Sequence, residues 1–221
     1  MISAVIFDLD GLILDSETPE VLAWQETYAR YGLEFPLDRW LLNVGRIDSP
    51  WDAYAALRAL DPPVDLALVR GFWRERHDLH ASEYRRPLPG VVALLTAVRA
   101  RGWRTAVASS SRRASILRAL EALNIAGQFD STAGGDEVPR AKPAPDVYLL
   151  AAQRLGVAPD ACVALEDSHN GVRAAKAAGM ACIAVPSALT HSLDFSAADL
   201  VVRSLEEVTP ETIASLARAQ A

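Results

Sequence analysis

The sequence predicts an α/β fold, a doubly wound parallel sheet with a small all-helical unit inserted after the first strand. Three observations carry this. A continuous β-branched and aromatic run, Ala4-Val5-Ile6-Phe7, opens the chain and ends in Asp8-Leu9-Asp10-Gly11. From about residue 15 to 86 the apolar spacing is helical, with no convincing strand. From Pro89 onward, short apolar runs alternate with helical stretches, the rhythm of successive βαβ units.

The elements follow in order. Residues 4–7 read as a strand buried on both faces. Residues 17–31 place Val21, Leu22, Trp24, Tyr28 and Tyr31 on one broad helical face, and Gly32 follows where a helix would stop. Residues 51–60 and 66–80 are further helices separated by Asp61-Pro62-Pro63, and Pro36, Pro50 and Pro87-Leu88-Pro89-Gly90 punctuate the region. The alternating part predicts helices at 91–101, 112–123, 145–155, 170–178 and 211–218, and strands at 103–108, 129–133, 162–165, 181–185 and 200–202. Gly102, Gly156 and Gly179 close three of those helices. Because the first strand joins this sheet, the expected division is a core of residues 1–14 and 88–221 around an insertion of residues 15–87.

Composition narrows the function. The chain has 221 residues, enough for one sizeable core and a smaller insertion. Its 22 basic and 28 acidic side chains give a net charge of −6 and no basic stripe, so a non-specific nucleic-acid partner is not expected. The N-terminus lacks a basic leader and runs straight into a strand, and no apolar stretch approaches the ~20 residues of a membrane span. The expectation is a cytoplasmic protein, a monomer or weak homodimer, with a small-molecule partner. Cys162 and Cys182 lie at or within apolar runs and read as small core side chains, with no metal-ligand spacing.

In an open α/β sheet, ligands bind beyond the carboxyl ends of the strands. Four polar clusters fall there: Asp8/Asp10, Ser109-Ser110-Ser111-Arg112, Arg140-Ala141-Lys142-Pro143, and Glu166-Asp167-Ser168. Side chains at i and i+2 share one side of a strand, so Asp8 and Asp10 would converge. Two carboxylates that close require a proton or a cation. Together the clusters offer hard oxygen ligands, hydroxyl and backbone donors and one ammonium, an inventory that suits a phosphoryl group with Mg²⁺. Ordinary alternatives exist for three of them. Serines before a helix cap it, Lys142 alone reads as a solvated loop lysine, and Asp167-Ser168 would cap the helix from Asn170. Acids abutting a buried strand are harder to explain away.

Asp8-Leu9-Asp10-Gly11, Val107-Ala108-Ser109, Lys142-Pro143-Ala144-Pro145-Asp146 and Glu166-Asp167-Ser168-His169-Asn170-Gly171 resemble, in order, the four motifs of the haloacid dehalogenase-like (HAD) superfamily. The resemblance covers the whole chain and is nearest to the β-phosphoglucomutase-like phosphatases, with a Rossmann-like core and the insertion as a cap. It implies Asp8 as nucleophile and Asp10 as general acid and base. It also implies Mg²⁺ on Asp8, Asp167 and the Asp10 backbone carbonyl, with Glu166 as a ligand or as a holder of metal-bound water. Ser109 and nearby groups, Ser110 among them, would hold the phosphate, and Lys142 would neutralise charge. Asn43-Val44-Gly45-Arg46 resembles the cap loop that presents an Arg to substrate, so Arg46 would grip a second anionic group, and Arg112 would also reach substrate.

The expected activity is Mg²⁺-dependent hydrolysis of a small phosphorylated metabolite, possibly a sugar phosphate, through an aspartyl-phosphate. A phosphosugar mutase is the alternative, but Glu20 stands where its members carry a His. A haloacid dehalogenase has no use for the second Asp, and a phosphonate hydrolase needs a cap Lys that residues 15–86 lack. A receiver-like phosphoacceptor is the non-enzyme alternative, without the i, i+2 acidic pair or a cap of this size.

Overall fold

The computed structural model describes residues 1–45 and 51–216. The strands are β1 (Ala4–Phe7), β2 (Arg104–Ser109), β3 (Ser131–Gly134), β4 (Cys162–Glu166), β5 (Ala181–Ala184) and β6 (Leu200–Val201). They form one sheet in the order β3-β2-β1-β4-β5-β6, and every pairing is parallel. The helices of this part are α5 (Val91–Ala100), α6 (Arg113–Ala122), α7 (Asp146–Leu155), α8 (His169–Ala177) and α9 (Pro210–Leu216).

Strand alternation sorts the core into two layers of different grain. Val5, Phe7, Val107, Val163, Leu165 and Ile183 face one side, where the apolar residues of α5, α6 and α9 meet them. Ala4, Ile6, Ala106, Ala108, Ala164 and Ala184 face the other, with α7 and α8. The second layer is nearly all alanine on the sheet side, which suits close approach by Ala151, Ala152, Ala174 and Ala175. Cys162 and Cys182 are buried in this layer as free thiols.

Between β1 and α5 the chain builds α1 (Glu17–Arg30), α2 (Leu37–Leu41), α3 (Ala55–Arg58) and α4 (Leu66–Glu83) around a cluster of their own. Its material is aromatic: the Trp24 ring lies 5.1 Å from Tyr54, 5.3 Å from Trp73 and 6.2 Å from Tyr28. Across α1 and α4, Arg76 and His80 both grip the Glu26 carboxylate. The helix expected at 51–60 shrinks to α3 because the Asp52 side chain accepts the Tyr54 N–H at 2.8 Å, a local turn that competes with helix. The one-turn α2 was not anticipated. Among the described residues, no helix is long and apolar enough to cross a membrane.

Candidate active site

The floor of the site is made where β1 and β4 end side by side. Phe7 pairs with Leu165, and the Asp8 N–H donates to the Leu165 carbonyl at 3.0 Å, so Asp8 and Glu166 leave adjacent strand ends. Lys142, from the loop before α7, is 1% exposed. Its ammonium donates to Asp8 Oδ1 at 2.8 Å, Glu166 Oε1 at 2.7 Å and the Ala108 carbonyl at 3.1 Å, one acceptor for each proton. It is not a solvated loop lysine. The Tyr148 hydroxyl, one turn into α7, donates to Glu166 Oε1 at 2.5 Å, and the Ser168 hydroxyl donates to Glu166 Oε2 at 3.2 Å. Both Glu166 oxygens are therefore occupied.

Burial, reinforced by Glu166 and Asp10, pushes the Asp8 carboxyl up to about 8 against the pull of Lys142. Burial works to neutralise Lys142, but Asp8 and Glu166 outweigh it and hold the ammonium above the ordinary lysine value. Asp167 is fully buried, and neither of its carboxylate oxygens has a hydrogen-bond partner. Burial, then Glu17 and Asp8, push its pKa well above the usual carboxylate range. Oxygens of Asp8, Glu166 and Asp167 lie within 4.8 Å of one another. One lysine cannot balance three crowded acids, and two orphaned buried oxygens on one of them require a partner. The donor set, all oxygen and anionic, fits a hard divalent cation.

Two glycines make this crowding possible. A Cβ on Gly11, which sits at φ +79°, would lie 2.0 Å from Asp167 Oδ2, and one on Gly171 would lie 1.9 Å from Glu166 Oε1.

Asp10 is placed by different contacts. β1 stops at Phe7, and beyond Asp10 the chain turns through residues 11–13 and bridges Asp10 to Leu14. Three hydroxyls converge on its half-buried carboxylate: Ser16 at 2.7 Å on Oδ1, and Ser109 at 3.0 Å and Ser111 at 2.8 Å on Oδ2. The Ser109 hydroxyl also accepts the Ser111 N–H at 2.9 Å. Ser109 is thus brought to the site, but with its hydroxyl turned to Asp10.

Above Asp10 opens a cavity of about 620 Å³ between the strand ends and the helical unit. Ser110 and Ser111 contribute from below, and Glu17, Glu20, Trp24 and Trp40 from above. Two hydrogen bonds tie the loop after α2 to the core: Ser110 Oγ to the Gly45 carbonyl at 2.7 Å, and Asn170 Nδ2 to the Val44 carbonyl at 3.0 Å. Ser110, expected at the phosphate, serves as this tether. Arg112 is exposed at the start of α6 and does not line the cavity. Arg46 lies outside the described residues.

Four contributors were not picked out from sequence: Ser16, Glu17, Ser111 as a ligand of Asp10, and Tyr148. The first two stand six and seven positions past Asp10, and that proximity was an available signal. Tyr148 carries none, since its polar role depends on which face of α7 meets Glu166.

The sequence pattern of the haloacid dehalogenase-like hydrolases matches residues 2–179. The putative phosphatase YhcW of Bacillus subtilis is 36% identical over 212 residues, 94% of each chain. Hexitol phosphatase B of Escherichia coli K12 is 34% identical over 215 residues, 96% of each chain. A substituted CbbY from Rhodobacter sphaeroides, solved in complex with xylulose-(1,5)bisphosphate, matches at 32% identity with a TM-score of 0.71, over 94% of this chain and 96% of that one. With its acids, lysine and serines assembled at the carboxyl ends of a parallel sheet, this chain belongs to the haloacid dehalogenase-like hydrolase family and is one of its phosphatases.

Proposed function

We propose that the protein hydrolyses small phosphorylated sugar-like metabolites, with Asp8 as nucleophile, Asp10 as acid and base, and Mg²⁺ as cofactor. The observation that carries this is the unequal treatment of the two acids. Asp8 is locked to Lys142 beside the orphaned Asp167, whereas Asp10 is half-buried, ringed by hydroxyls and open to the cavity. One environment suits a fixed anionic nucleophile, the other a group that trades protons with substrate and water.

In the first step an Asp8 carboxylate oxygen bonds to phosphorus, the ester P–O bond breaks, and the departing alkoxide takes the proton of Asp10. In the second, water attacks phosphorus, its proton passes to the Asp10 carboxylate, and the bond between phosphorus and Asp8 breaks to release inorganic phosphate. Lys142 stays protonated throughout and keeps Asp8 oriented. Ser109 and Ser111 would exchange their bonds to Asp10 for bonds to phosphoryl oxygens. Asp8 and Asp167 would hold Mg²⁺ by carboxylate and Asp10 by its backbone carbonyl, with Glu166 beside them fixing Lys142. When bound, the cation supplies positive charge against the phosphoryl oxygens and lets the buried acids stay ionised together.

The sugar-like substrate class is supported by the relatives named after hexitol phosphate and solved with a xylulose bisphosphate. The test is phosphate release from a panel of small phosphomonoesters with Mg²⁺, with excess chelator, and with Asp8→Asn. Release that depends on metal and disappears in the variant is expected. Turnover persisting in either condition would refute the mechanism.

A further inference from the structure

Asp167 stands at a junction. β4 ends at Glu166 and α8 begins at His169, so Asp167 lies past the strand and before the helix. Its neighbours are secured: the Val185 N–H donates to the Glu166 carbonyl at 2.6 Å, and the Ser168 hydroxyl caps α8 by accepting the Gly171 N–H at 3.1 Å. Asp167 is met by a side chain from the loop after β5. The hydroxyl of Thr190, a wholly buried residue 23 positions on, donates to the Asp167 carbonyl at 2.8 Å. This bond continues the β4–β5 pairing one residue beyond its last backbone rung. The hydroxyl is aimed, because it accepts the Ser187 N–H at 2.9 Å and so turns its own proton toward Asp167. The loop is also anchored on its own account. Ser187 Oγ accepts the Leu189 and Thr190 N–H groups at 3.2 Å each, the His191 N–H donates to the Ser187 carbonyl at 3.0 Å, and Leu189 packs against the aromatic cluster of the helical unit.

We propose that Thr190 is a positioning residue of the cation site: its buried hydroxyl fixes the Asp167 main chain and so keeps the unpartnered Asp167 carboxylate within reach of Asp8. The inference rests on reading Asp8 and Asp167 as the ligands of the cation. Neither Asp167 carboxylate oxygen has a hydrogen-bond partner, so the orientation of the side chain depends on how its backbone is held and on what crowds it. Gly11 does the crowding, since a Cβ there would stand 2.0 Å from Asp167 Oδ2, and Thr190 does the holding. An ion of the size of Mg²⁺ demands near-ideal placement of its oxygens, and groups that orient metal ligands are worth about 10–100-fold in metal affinity. Threonine suits the task, because branching at Cβ restricts χ1 and gives the hydroxyl a stiff support.

The test measures cation binding directly, by Mn²⁺ paramagnetic resonance and by calorimetric titration with Mg²⁺, in the absence of substrate. Wild type, Thr190→Val and Thr190→Ser are compared, with denaturant unfolding of each alongside. Valine keeps the shape and loses the hydroxyl, whereas serine keeps the hydroxyl. Thr190→Val is expected to weaken cation binding by about tenfold or more and to raise the Mg²⁺ concentration for half-maximal phosphate release by a similar factor, with KM for p-nitrophenyl phosphate at saturating Mg²⁺ within about twofold of wild type. Thr190→Ser should restore most of the affinity. A threonine that only closed its own loop would cost stability and leave cation affinity unchanged; that result in a folded valine variant overturns the inference. Should the valine variant not fold, Ser187→Ala decides. It removes the hydroxyl that gathers the Leu189 and Thr190 N–H groups and should weaken cation binding by about threefold; an affinity equal to wild type overturns the inference. Binding that Asp167→Asn abolishes but neither loop variant weakens would leave the cation site standing without Thr190, and a wild type that binds neither ion overturns both.

Discussion

The two walls of the cavity solve the problem of buried charge in opposite ways. The floor is built from strand ends and, apart from the two unpartnered Asp167 oxygens, is saturated: Lys142 spends all three protons, and Glu166 receives Lys142, Tyr148 and Ser168. The wall built by α1 and α4 has an aromatic core, and at its foot Glu17 keeps an unpartnered oxygen close to Asp10 and Asp8. Saturation fixes geometry, as chemistry at phosphorus demands. An unsaturated wall leaves donors and acceptors for whatever substrate the cavity admits. Asp10 stands on the border and belongs to both, its carboxylate held from α1's side by Ser16 and from the sheet by Ser109 and Ser111.

Substitutions can break or sharpen that contrast. After Asp8→Asn, the largest effect is expected for Asp10→Asn, a kcat loss of about 10²–10⁴-fold on alkyl phosphates. The loss should be smaller on p-nitrophenyl phosphate, whose leaving group needs no proton; equal losses on both esters would deny Asp10 the acid role. Lys142→Met should destabilise the fold by about 3–5 kcal/mol, because it strands Asp8 and Glu166 in the interior. Denaturant unfolding measures this, and a loss below 1 kcal/mol would mean the floor is not held by charge.

Gly11→Ala should cost about 1–2 kcal/mol from its left-handed backbone alone. The added methyl also intrudes on Asp167, so metal-dependent activity should fall further than stability does. Retained activity with retained stability would show that the Gly11–Asp167 approach is not required. The smallest effect is expected at Glu137, a partly exposed acid that Arg154 holds below the usual glutamate value, chiefly by hydrogen bonding. A carboxyl lowered in the folded state stabilises above its unfolded pKa and loses that contribution as pH falls through the folded one. Glu137→Gln should therefore cost under ~1 kcal/mol at pH 7, and the difference from wild type should vanish in acid below the ordinary glutamate value of 4.5. A difference that grows on acidification would reverse the assigned sign.

Much of this was legible in the chain. The apolar run of β1, the glycine stops and the alternation after Pro89 forecast the parallel sheet because each is a local, periodic signal. Asp8 and Asp10 stood out because acids abutting a buried strand are hard to explain otherwise, and Lys142, Glu166 and Asp167 because they joined them in one ordered set of polar clusters. Illegible were α2 and the shortening of α3, where short-range side-chain bonds decide between helix and turn. Also illegible were the three serine hydroxyls that hold Asp10, two of them about a hundred positions away.

By itself, then, the sequence determined the alternation of strands and helices, the polar clusters at strand ends and the inventory for phosphoryl chemistry, because those follow from local periodicity and from which residues border the strands. Only the tertiary structure decided who partners whom. Lys142 meets Asp8 across 134 positions, and Ser111 meets Asp10 across 101. Such pairings depend on strand register and on which helix face turns inward, and no local signal encodes them. The same holds for Glu17: a glutamate in the first turn of a helix is ordinary, and its interest comes from being buried against a cavity with an oxygen left unpaired.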